Sequence, residues 1–116
     1  MPYSILGKNA MLNALGALAV KASLHTADPG ESGTSEVAGG NPAYARKDIT
    51  WGTAGSGTMD MNATAVFDVP SSTTVSYVGF WNSAGTVFYG SANVTDEVFA
   101  GQGTYTLMDA DFDLNA

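Results

Sequence analysis

The chain has 116 residues, 45% of them hydrophobic and only 13% charged, with a net charge of −7 at neutral pH. Length and apolar content fit one folded domain with a modest core and exclude a disordered chain. Its four basic residues, Lys8, Lys21, Arg46 and Lys47, make no basic footprint, which excludes nucleic acid as a partner and disfavours an anionic membrane surface.

Cysteine is absent, so disulfides and thiolate metal sites are excluded too. Charge is well below the roughly 25% of an ordinary domain. Much of the surface is therefore weakly polar, and subunit contacts can cover it at small desolvation cost.

In chain order, residues 9–22 predict the one helix. Asn9 is placed to cap it, and Leu12, Leu15, Leu18 and Ala22 recur at three-to-four spacing. Ala14, Gly16, Ala17 and Ala19 are small enough for close approach of another surface. Packing against its own domain is the simpler use. The apolar run Ala10–Val20 falls short of the about 20 residues that cross a bilayer. It loosely resembles a secretion signal, with Lys8 ahead of it, but Asn13 and Gly16 weaken the run and Lys21 occupies the cleavage position.

A short strand is expected over Ser23–Ala27. Asp28-Pro29-Gly30 then makes a turn: Asp bonds the backbone ahead, Pro fixes φ and Gly accepts a positive φ. Residues 28–43 read as a long surface loop with no large apolar residue between Pro29 and Val37. Such a segment cannot offset its own ordering entropy, so it is expected to order on docking.

Tyr44–Trp51 alternates as a half-buried strand, with Ala45, Lys47, Ile49 and Trp51 on one face. Gly52–Gly57 is a turn. Met59, Met61 and Ala63 suggest a weak strand, and Ala65–Val69 a firmer one stopped by Pro70. Thr73–Asn82 and Thr86–Ala92, rich in Val, Thr and aromatics, predict a hairpin through Asn82-Ser83-Ala84-Gly85. Glu97–Ala100, Tyr105–Met108 and Ala110–Leu114 complete the strands. One helix followed by short strands at regular spacing predicts a mainly β fold. The expected form is a single-domain antiparallel β-sandwich over residues 1–116, jelly-roll-like or immunoglobulin-like, with one short N-terminal helix.

Little of this suggests catalysis. His25 is the only histidine, and Ser56 in Gly55-Ser56-Gly57 lacks the spacing of a nucleophile elbow. No catalytic, cofactor or metal residue is assigned. Asp109, Asp111 and Asp113 would share one strand face, but Leu114 stands where a calcium loop needs glycine, so a solvated face is expected. Arg46 and Lys47 have Glu31, Glu36 and Asp48 as nearby acids to pair with. Trp51, Phe80, Trp81, Phe88 and Tyr89 would serve either as a carbohydrate platform or as core, and alternation favours core.

Four segments in order carry a resemblance: Ala22–Gly30 with Leu24-His25-Thr26-Ala27-Asp28-Pro29-Gly30; Gly39-Gly40 followed by Tyr44-Ala45-Arg46; Ile49-Thr50-Trp51-Gly52; and Val66–Pro70 with Val78-Gly79-Phe80-Trp81. This order resembles a family of small tailed-bacteriophage virion structural proteins with an LHTADPG…YAR…WG…VGFW pattern, described as tail-fibre-like or head decoration proteins. Pro42 departs from it, standing where members run straight from the Gly pair into the Tyr.

The resemblance implies a virion component assembled in the bacterial host cytoplasm, without a cofactor. The first expectation is a capsid decoration or cement protein docking on the major capsid protein. The alternatives are a tail- or fibre-associated minor structural protein and a receptor- or glycan-binding module. Self-association is expected, as a trimer or another cyclic ring. The residues expected to dock are Glu31, Glu36, Val37, Tyr44 and Arg46, with the loop at 28–43 or the N-terminal helix as anchor.

Overall fold

A computed structural model of the chain describes residues 2–115. Its helix, α1, runs Ile5–Leu18. It starts earlier and ends earlier than the predicted 9–22, for identifiable reasons at both ends. Ser4, not Asn9, is the cap: its Oγ accepts the Gly7 amide at 3.1 Å. At the other end the Val20 amide donates to the Trp81 carbonyl at 3.0 Å, so the chain leaves the helix to join a sheet. Asn9 and Asn13 bond the body of the domain instead. Their Oδ1 atoms accept the amides of Gly57 and Ala54, each at 2.9 Å, tying the helix to the 54–57 turn. Leu12 packs with Ala54 and Met59 in a small core flanked by Trp51 and Phe112. Among the described residues no helix is long and apolar enough to cross a membrane.

Eight strands follow: β1 (Lys21–His25), β2 (Lys47–Asp48), β3 (Thr58–Asp60), β4 (Ala65–Val69), β5 (Thr73–Trp81), β6 (Phe88–Phe99), β7 (Gly103–Leu107) and β8 (Asp111–Asp113). They form a four-stranded sheet in the order β2-β1-β5-β6 and two strand pairs, β3–β8 and β4–β7. Every pairing is antiparallel. The chain is a mainly β domain with one helix, as predicted. Alternation supplies its core: β4 turns Ala65, Phe67 and Val69 inward, opposite Tyr105 and Leu107 of β7. These close on Leu24 of β1 and on Val75, Val78 and Phe80 of β5.

Most strands shift at their ends by one to three residues, and the departures are largest in two places. Of Tyr44–Trp51 only Lys47–Asp48 pairs with β1, and Trp51 makes an isolated bridge to Met61. The predicted strands 86–92 and 97–100 fuse into β6. A register shift permits this, since Val75 pairs with Glu97 while Tyr77 pairs with Asn93, so the surplus β6 residues bulge outward. The predicted turn between β5 and β6 forms around Asn82, whose Oδ1 accepts the amides of Thr86 and Val87 at 2.8 and 3.0 Å.

Candidate functional site

Three segments of the sequence pattern, those of His25, of Tyr44 and Arg46, and of Trp81, meet around the start of the 28–43 loop, while Trp51 packs by the helix. His25 ends β1 with no solvent exposure. Its Nδ1 lies 2.7 Å from the Thr34 carbonyl, which can only accept, so that nitrogen carries the proton. Nε2 is then an acceptor, 2.6 Å from Ser23 Oγ. Trp81 Nε1 donates to the same Oγ at 2.8 Å, completing a chain of bonds from Trp81 through Ser23 and His25 to the loop backbone. Burial lowers the His25 pKa, against the opposing pull of the Thr34 carbonyl, and keeps the ring neutral.

Beside it lies an ion pair. Arg46 Nε and Nη2 donate to the two carboxylate oxygens of Glu36 at 2.9 and 2.8 Å. The same guanidinium sits 3.7 Å above the Trp81 ring and donates from Nη1 to the Gly85 carbonyl at 3.2 Å. Tyr44 completes the group: its hydroxyl donates to Glu36 Oε2 at 2.8 Å and accepts the Leu24 amide at 2.9 Å. Burial opposes ionisation of Glu36, but Arg46 and the Tyr44 hydroxyl outweigh it and hold the carboxyl below the usual range. Burial pushes the Tyr44 phenol upward, and the bond to Glu36 raises Arg46 further.

Three of the five residues expected to dock, Glu36, Tyr44 and Arg46, therefore meet in one cluster and bond one another. Val37 is buried next to them, its amide donating to the Leu24 carbonyl at 2.9 Å. Glu31 lies apart and is exposed on the loop. The 28–43 segment has internal anchors that its composition does not advertise. Pro29 is fully buried, the Asp28 carboxylate accepts the Gly30 amide at 2.9 Å, and Gln102 clamps the far end on both sides of Pro42.

Ser23 and Thr34 are the members that sequence reasoning missed, and Trp81 was named there without its partners Ser23 and Arg46. The adjacent pair Phe80-Trp81 was the available signal, because alternation buries only one of two neighbours. Trp81 is buried as well, because Arg46 covers its ring. Of the other aromatics, Phe80 is buried, Trp51, Phe88 and Tyr89 are half-buried, and Phe112 lies between Trp51 and Phe80, with ring centroids 4.9 and 5.1 Å away. Asp111 and Asp113 share the exposed face of β8 while Phe112 points inward, and Asp109 lies before the strand. Among the described residues no three acids or histidines group with metal-binding geometry.

Chemically, the cluster is a closed set of donors and acceptors with no buried side-chain polar atom left unpaired among the described residues. The Ser23 hydroxyl is held between Trp81 and His25 under full burial, which gives a substrate no approach. The arrangement fixes the loop against β1 and the β5–β6 turn.

No curated protein and no solved structure matches the chain significantly. A family described as Podophage GP4 fiber I protein gp80 matches residues 5–107, which covers both halves of the cluster and nearly all of the fold. The chain is a phage structural protein and belongs to the Podophage GP4 fiber I protein gp80 family.

Proposed function

We propose that the chain is a non-catalytic building block of a virion fibre, working by docking onto other phage structural proteins. The observation that carries this reading is the fibre-family match across residues 5–107. The geometry agrees with it. The body is elongated, 47 × 24 × 21 Å, and the only histidine has both ring nitrogens engaged in a buried network. In this reading the 28–43 loop is a shaped docking element. Glu31 offers its carboxylate to the partner, while Glu36, Val37, Tyr44 and Arg46 hold the loop's form. A loop set before docking loses little entropy on binding. Docking on the head shell against the major capsid protein is the competing placement.

Removal of the gene from the phage tests the reading. The expected particles have intact, filled heads and lack fibre density in electron micrographs, and the purified protein or a plasmid copy restores it. Intact fibres on heads that burst easily would overturn the fibre placement in favour of head decoration.

A further inference from the structure

We propose that the outward face of α1 binds the same face of a second copy of this chain. The three polar side chains of the helix after its cap, Lys8, Asn9 and Asn13, all bond other parts of the same domain. Lys8 Nζ reaches Asn115 Oδ1 at 3.0 Å, and the two asparagines hold the 54–57 turn. Apart from Asn13, whose side chain is held by the turn, the exposed side of the helix is apolar, with Leu6, Ala10, Met11, Ala14, Ala17 and Leu18 among its residues. This inverts an ordinary surface helix, whose polar side faces water. Leu6 is 82% exposed and Leu18 52%. Among the described residues, five of the ten exposed large hydrophobics (Tyr3, Ile5, Leu6, Met11 and Leu18) fall within the first eighteen positions.

Two observations select a second copy as occupant. The first is spacing. Gly7, Met11, Ala14 and Leu18 follow one another at intervals of four, three and four, the a/d repeat of a coiled-coil seam. The alanines beside this seam let two helices approach closely. The second is charge. All eleven acidic residues lie at position 28 or later, so residues 1–27 hold none. Copies carrying −7 each repel over the rest of their surface, and the helix is where they meet without opposing carboxylates. The contact does not depend on where in the virion the protein sits, so it goes beyond the fibre reading.

Sedimentation of the full chain over a range of concentrations tests this. The wild type is expected at an integral multiple of 11.9 kDa. Added salt should tighten the association, because it screens repulsion and leaves the apolar contact intact. Met11→Glu with Leu18→Glu should shift the species to the monomer at unchanged circular dichroism, whereas Val98→Glu, at another exposed apolar position, should not. Because the chain has no native cysteine, Ala14→Cys gives a second readout that needs no charge in the helix: rapid formation of a disulfide-linked dimer on mild oxidation. A monomeric wild type whose Ala14→Cys variant does not cross-link would overturn the proposal and leave the face to a different virion component. An oligomer that survives the double glutamate variant would overturn it too.

Discussion

Glu36 and Arg46 lie ten residues apart and meet as a two-pronged ion pair, 2.8 and 2.9 Å, with the guanidinium lying over Trp81. The two side chains are 22% and 25% exposed, so the pair is shielded without being fully desolvated. It closes the 28–43 loop back onto the segment that leads into β2. Arg46→Ala leaves the Glu36 carboxylate without its partner and uncovers Trp81. A loss of about 1–3 kcal/mol is expected, read as a lower urea midpoint at unchanged slope. Arg46→Lys should recover only part of it, since an ammonium cannot make the paired bonds.

Acid should destabilise the fold in two windows. Burial lowers the folded His25 pKa from its ordinary 6.5, so below 6.5 the unfolded chain binds the proton first. Stability therefore falls as pH drops from 6.5 toward the folded value, and it is undiminished above 6.5. Glu36 has a depressed folded pKa, so its contribution is present above its ordinary 4.5 and is lost as pH falls through the lower folded value. His25→Gln should flatten the first window and leave the second. Urea midpoints across the acid range check this, and an unchanged slope in the variant would count against the account.

Gly79 sits under the His25 relay. A Cβ there would lie 2.7 Å from both His25 Nε2 and Ser23 Oγ, closer than real Cβ atoms come. Gly79→Ala should therefore cost about 1–3 kcal/mol through forced displacement of buried groups. Thermal melting reads the loss, and an NMR shift of the His25 ring protons would locate it.

Asn13 ties the helix to the turn before β3. Asn13→Ala leaves the Ala54 amide without its acceptor, at a cost of about 1–2 kcal/mol. Hydrogen exchange should quicken at Ala54 and Gly57 while the β5–β6 ladder keeps its protection. Uniform loss of protection would indicate that the helix is integral to the main core.

Local patterns carried most of the fold. Ala65–Val69 alternates and is a strand over those very residues, and Asn82 to Gly85 made the hairpin readable. Longer-range relations were not legible. Nothing local tells that β6 bulges rather than breaks, because the register shift is set by β5 across the sheet. Ser4 was hidden as a cap by the better-placed look of Asn9, whose side chain is used by a turn 48 residues away. Of the residues expected to dock, Glu36, Val37, Tyr44 and Arg46 lie together and Glu31 lies apart; that Arg46 pairs with a nearby acid was readable, but that the acid is Glu36 rather than Glu31 or Asp48 was not. A Gly-Ser replacement of 28–43 therefore removes Glu36, Val37 and Pro29 from the interior and should weaken the domain.

Cryo-electron microscopy of the intact virion, with the 47 × 24 × 21 Å body fitted into the map, tests the central claim most directly. The account predicts copies of this fold within the fibres and absent from the shell lattice. Copies seated on the capsid lattice, with fibre density complete without them, would contradict it.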